Sequence, residues 1–130
     1  MASPSFHLRW RTAWLAIGWA LIVVVVYLSV APVSGVTMGS GGDKIAHLLA
    51  YAVLMFWFMQ IFTASPSRLV IATGLLLLGV GLEIVQVVLP FRTFELLDVA
   101  SNAAGIGLGW VVAPPRAINV LVTIESLVGK

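Results

Sequence analysis

The residues of this chain with chemistry to offer are few and fall in three short runs. They read Asp43-Lys44-x-x-His47-x-x-x-Tyr51, then Glu83-x-x-Gln86 followed by Arg92, then Asp98-x-x-x-Asn102. An imidazole beside a carboxylate can exchange a proton near neutral pH, so His47 with Asp43 or Glu83 is the candidate catalytic set. Lys44 and Arg92 can hold an anion, and Arg92 can do so with a bidentate fork. Tyr51, Gln86 and Asn102 offer neutral hydrogen bonds that would orient a ligand. Asp43, His47, Glu83 and Asp98 are all possible metal ligands. No ligand motif joins them and the chain has no cysteine, so neither metal nor cofactor is assigned from the sequence. The glycines at 39, 41 and 42 resemble a phosphate loop, but Gly42-Asp43-Lys44-Ile45 lacks the Gly-Lys-Ser/Thr ending and no strand precedes it. No nucleophile–base order stands out.

The elements that must position these residues are membrane spans. The chain is 61% hydrophobic and 9% charged, against about 25% charged in an ordinary soluble domain. A chain of 130 residues cannot hide that much apolar surface from water, so its solvent is lipid. Seven Lys and Arg are too few for a nucleic-acid surface and read instead as topology signals. Four apolar stretches, 12–31, 45–63, 69–89 and 96–113, are separated by Pro-, Gly- and Ser-rich breaks. The first follows Arg9 and Arg11 but is too long for a signal-peptide core, and is read as an uncleaved span. Ser65 or Ser67 is available to cap the third. The expected fold is all-α: a polytopic membrane protein built as a four-transmembrane-helix bundle, a single domain over 1–130, with a short C-terminal interfacial helix in the tail 116–130. In that tail Asn119, Thr123, Ser126 and Lys130 make one stripe, opposite Val120, Leu121 and Ile124.

Four crossings put both termini on one side, with Arg9, Arg11, Arg68, Arg116 and Lys130. The other side holds Lys44 and Arg92. Five basic residues against two place both termini in the cytoplasm. The polar residues then converge at the outer face. Asp43, His47 and Tyr51 share one helical face, Glu83 and Gln86 another, and Asp98 and Asn102 a third, which Gly105 and Gly109 continue. Gly105-x-x-x-Gly109 would let a neighbouring backbone come close. Glu83, about 9 Å inside the end of its span, is costly there without a partner, for which His47, Arg92 and Lys44 are candidates. A polar network that only fixes helix packing is the competing explanation. Single residues have plain roles too: Asp43 and Asp98 as helix caps, Lys44 and Arg92 as interfacial side chains.

In order and spacing, Asp43-Lys44-x-x-His47-x-x-x-Tyr51, Glu83-x-x-Gln86-x-x-x-Pro90-x-Arg92 and Asp98-x-x-x-Asn102-x-x-Gly105 resemble the VanZ-like family of small bacterial membrane proteins. The family's usual aromatic after the histidine is Leu48 here. The resemblance implies a bacterial cytoplasmic (inner) membrane location and a part in envelope homeostasis or glycopeptide (teicoplanin-type) resistance. Its implied partners are membrane lipids and amphiphiles of the envelope: an anionic lipid, a lipid-linked cell-wall precursor or a glycopeptide-like compound, with no nucleic acid. Asp43, Lys44, His47, Tyr51, Glu83, Gln86, Arg92, Asp98 and Asn102 are the expected ligand-binding set. Two alternatives stay open: an acid/base enzyme acting on a lipid-linked headgroup, and a structural subunit of a membrane complex.

Overall fold

A computed structural model of the chain describes residues 7–31, 42–90, 95–114 and 116–129. They form five helices: α1 (Arg11–Val30), α2 (Gly42–Ile61), α3 (Ser65–Val87), α4 (Leu96–Val112) and α5 (Val120–Val128), with no strand among the described residues. The first three are long and apolar enough to cross a membrane, and α4 is a shorter apolar helix of 17 residues. Their outer faces expose Val23, Val24, Tyr27, Val70, Leu77 and Leu97. Such a continuous apolar surface is at home in hydrocarbon and a liability in water.

Helix α3 begins four residues before the expected 69. Pro66 sits in its first turn, where a missing N–H costs nothing. Ala64 occupies the N-cap position and no side chain caps it, so the expected serine cap is not formed. The longer helix carries Arg68 inward. It is 6% exposed, and its guanidinium donates to Phe62 O at 3.2 Å and Met59 O at 3.3 Å, satisfying carbonyls at the end of α2. Arg68 is thus a helix-terminating residue as well as a basic charge.

Helix α2 lies at the centre and packs most closely on α4. Gly105 and Gly109 make this possible, as their spacing predicts. A Cβ at Gly105 would run into the Leu48 carbonyl, and one at Gly109 would lie 2.5 Å from Ala52 O. Tyr51, Leu54, Met55, Met59, Leu75 and Ile106 fill the core around that contact.

The tail is more firmly joined to the bundle than an interfacial helix need be. Asn119 caps α5 by accepting from Val122 N at 3.1 Å, and its amide donates to Gln60 O at 2.8 Å. Gln60 Oε1 in turn accepts from Val120 N at 2.7 Å, and Leu121 is fully buried. Glu125 accepts from Arg9 N (2.7 Å), Trp10 N (2.8 Å) and Trp14 Nε1 (2.7 Å), which ties α5 to the start of α1. Partial desolvation pushes the Glu125 carboxyl up, but the hydrogen bonds from Trp10, Trp14 and Arg9, with the Arg9 charge, outweigh it and hold the group below its ordinary 4.5. A depressed carboxyl stabilises the fold above its unfolded value, and that contribution fades as pH falls through the folded one. Acidification below about pH 4.5 is therefore expected to free this end of α1 and α5. Trp fluorescence should report the change, and Glu125→Gln should show the released signal already at neutral pH. An identical acid titration in the variant would refute the assignment.

These contacts give the bundle two ends. One gathers the start of α1, the α2–α3 turn and α5. The other gathers the start of α2, the end of α3 and the start of α4.

Candidate functional site

The second end holds the polar cluster. Near the start of α2, Lys44 and His47 lie one turn apart on a single face, with Tyr51 a turn deeper. Asp98 lies in the first turn of α4, where an acidic charge suits the helix dipole, and Asn102 follows one turn later. Glu83 arrives on the last turns of α3. Lys44 Nζ pairs with Glu95, just ahead of α4, and with Asp98 Oδ1 at 2.6 Å. His47 Nδ1 meets Asn102 Oδ1 at 3.0 Å, and His47 Nε2 faces Asp98 Oδ2 at 3.9 Å. Glu83 is 1% exposed and accepts from Glu95 N at 3.5 Å, a long bond. The Asn102 amide is also near Gly79: a Cβ there would lie 2.7 Å from Asn102 Nδ2 and 3.3 Å from the Tyr51 hydroxyl oxygen. A bare backbone on α3 is what lets these two side chains share the space.

Three helices therefore deliver one imidazole, one ammonium, three carboxylates and one amide to a single place. Among the described residues, acidic side chains outnumber basic ones there: Glu83, Glu95 and Asp98 stand with Lys44. Two of the carboxylates, Glu83 and Asp98, are buried. Below the cluster, Ala72, Thr73 and Leu76 of α3 and Ala103 and Ile106 of α4 line an open apolar groove. Leu76 continues by helical spacing into Glu83, and Ile106 into Asn102 and Asp98, so groove and cluster lie on the same stripes.

The chain matches the VanZ/LLP1 family over residues 7–121, which takes in all four long helices and every residue of the cluster. It belongs to the VanZ/LLP1 family. An uncharacterised protein of Schizosaccharomyces pombe is 35% identical over 115 residues, covering 83% of this chain and 67% of that protein. A relative thus occurs outside bacteria, and the match does not carry the bacterial setting that the sequence resemblance implies. No solved structure matches the chain.

Set on this VanZ/LLP1 fold, the expected site residues divide. Lys44, His47, Glu83, Asp98 and Asn102 come together, with Tyr51 beneath them. Gln86 has no described contact with them: its Nε2 donates to Ser29 O at 2.7 Å and fastens α3 to the end of α1. Neither Glu83 nor His47 hydrogen-bonds the other; Glu83's described partner is the Glu95 backbone. Asp98 spends its side chain on Lys44, and the N-cap position is held by Glu95 without a side-chain cap. The side chain of Asp43 and all of Arg92 lie outside the described residues. Glu95 and Gly79 were not singled out from the sequence. Glu95 had a usable signal, three residues before Asp98. Gly79 had one too, a turn before Glu83 on its face.

Proposed function

We propose that this chain is a membrane-embedded receptor for an amphiphile of the envelope. Its polar cluster takes a phosphate- or carboxylate-bearing headgroup, and the apolar groove between α3 and α4 takes an acyl chain. The observation that carries this reading is the convergence of Lys44, His47, Glu83, Asp98 and Asn102 from three helices, on the stripes that also line the groove. The groove lies on the same helical stripes of α3 and α4 that carry Glu83 and Asp98, which supports a ligand with both a headgroup and a chain. In a bacterial envelope the consequence is envelope homeostasis and, through occupation of lipid-linked precursors, tolerance of teicoplanin-type glycopeptides. The basic-residue bias sets the cluster in the outer leaflet and both termini in the cytoplasm. A second reading has one specific support: His47 stands between Asn102 and Asp98, the arrangement of an oriented general base, so proton transfer to a bound headgroup is the alternative.

The test is retention of phosphatidylglycerol against phosphatidylcholine by purified protein, read by native mass spectrometry. The wild type is expected to retain the anionic lipid selectively. His47→Gln and Asn102→Leu should lose that selectivity at least about tenfold, as expected for loss of one oriented hydrogen-bonding contact, with melting temperatures close to the wild type. A cysteine at Glu95 should label with impermeant maleimide in intact cells, and one at Ser126 only after permeabilisation. Stability falling in step with lipid retention across the variants would leave the packing network as the explanation. Reversed labelling would turn the site to the cytoplasmic leaflet.

A further inference from the structure

We propose that His47, Glu83 and Asp98 form a divalent metal site, taking a first-row transition ion such as Zn²⁺ or Mn²⁺ through one imidazole nitrogen and two carboxylates. The three residues stand on α2, α3 and α4, and each offers one ligand atom within 4.8 Å of the other two. An ion held about 2.0–2.2 Å from each donor fits the 3.9 Å between His47 Nε2 and Asp98 Oδ2, and a small side-chain rotation brings in Glu83.

The histidine's second nitrogen points to the same conclusion. Asn102 presents its carbonyl oxygen to His47 Nδ1 at 3.0 Å, so Nδ1 carries the proton and donates. In the neutral ring with its proton on Nδ1, Nε2 holds a lone pair and faces a carboxylate oxygen that also holds lone pairs. At 3.9 Å the two acceptors are beyond hydrogen-bond reach. A cation between them satisfies both. A metal-bound histidine that donates its other N–H to an amide or carboxylate oxygen is the usual way such a ring is fixed.

Asp98 divides its carboxylate between two neighbours. It is 6% exposed, and its Oδ1 is buried with no directed hydrogen bond, its contact with Lys44 being one of charge. The ammonium thus approaches Oδ1, which leaves Oδ2 on the side of His47 and Glu83. Among the described residues of the cluster, acids outnumber basic groups, which suits a cation. One nitrogen and two oxygens suit Zn²⁺, Mn²⁺ or Fe²⁺ better than Ca²⁺, which takes six to eight oxygens. Three protein ligands leave positions open for water or for a phosphate oxygen. That last role rests on the headgroup reading above, since the ion would bridge an anionic headgroup to a site that is otherwise acidic; the ion site itself stands without it.

The experiment uses the full chain in detergent, stripped with chelator and titrated with Mn²⁺ or Zn²⁺ in the absence of added lipid. Calorimetry is expected to show one ion per chain, and bound Mn²⁺ to show nitrogen coupling in pulsed electron paramagnetic resonance. His47→Gln, Glu83→Gln and Asp98→Asn should each weaken binding at least about tenfold, and His47→Gln should remove the nitrogen coupling. Asn102→Leu, which frees the ring without removing a ligand, should cost about 10–100-fold. His7→Gln should change nothing. Melting temperatures in chelator establish that each variant is folded. No stoichiometric ion on the folded wild type, or binding that survives both His47→Gln and Asp98→Asn, overturns the site. Lipid selectivity that persists in chelator while the wild type binds no ion rejects the metal and keeps the headgroup reading. An ion bound without lipid selectivity does the reverse.

Discussion

Gly105→Leu is expected to destroy the contact between α2 and α4, and with it the fold. A Cβ at this position overlaps the Leu48 carbonyl oxygen and comes within 3.1 Å of Ala52 N. These are backbone atoms of the central helix, which cannot rotate aside as a side chain can. Gly105→Ala should already cost about 1–3 kcal/mol, the usual range for overpacking, and the larger leucine more. The helices would have to separate along their whole seam, moving Lys44 and His47 on α2 away from Asp98 and Asn102 on α4. Gly107 is the control. It lies on the same helix with nothing within 4 Å of an added Cβ, so Gly107→Ala should be neutral or stabilising by about 0.4–1 kcal/mol through the unfolded chain. Melting in detergent of the three variants decides the matter. Equal behaviour of Gly105→Ala and Gly107→Ala would mean that α2 and α4 are not in backbone contact.

That contact was legible in the sequence because small residues four apart have one common use in a membrane helix. The helical class and the four apolar stretches were legible for an equally simple reason: the period and length of an apolar run are set by the backbone and the bilayer, and neither depends on the partner. The convergence of His47, Glu83, Asp98 and Asn102 was also readable, since each helix displays its polar residues on one face at the same end. What escaped were side-chain choices among several near acceptors. Gln86 shares its face with Glu83, yet its amide reaches the Ser29 carbonyl on α1; nothing in its spacing separates a ligand contact from a strut. Glu125 interrupts an apolar tail and was read past, because its partners are the N–H groups of Arg9 and Trp10 and the Trp14 indole, more than a hundred residues away. Arg68 looked like a topology charge because the start of α3 was placed after it.

Lys44→Met is expected to destabilise the chain far more than the loss of an exposed lysine would. Its ammonium serves two carboxylates from the approach to α4 and its first turn, and the side chains differ in exposure: Asp98 at 8%, Glu95 at 44%. The Glu95 arm is open to solvent and worth at most about 1 kcal/mol. The Asp98 arm is the costly one, since removing Lys44 leaves a buried carboxylate beside Glu83 with its main counter-charge gone. A fully buried pair broken in this way costs about 3–5 kcal/mol. Lys44 is itself partly exposed, so about 1–3 kcal/mol is expected here once solvent screening is allowed for. A double-mutant cycle separates the arms. Lys44→Met with Asp98→Asn should recover most of the loss, a coupling of about 1–2 kcal/mol, whereas Lys44→Met with Glu95→Gln should recover little. The measurement is denaturation in detergent with chelator present, so that no cation substitutes for the lysine. Added Mn²⁺ should then stabilise Lys44→Met by more than it stabilises the wild type, because an ion between His47 and Asp98 supplies the positive charge that the variant has lost. Additive effects of Lys44→Met and Asp98→Asn would show that the pair contributes nothing to the fold, and the cluster's excess of negative charge would have to be balanced by some other group.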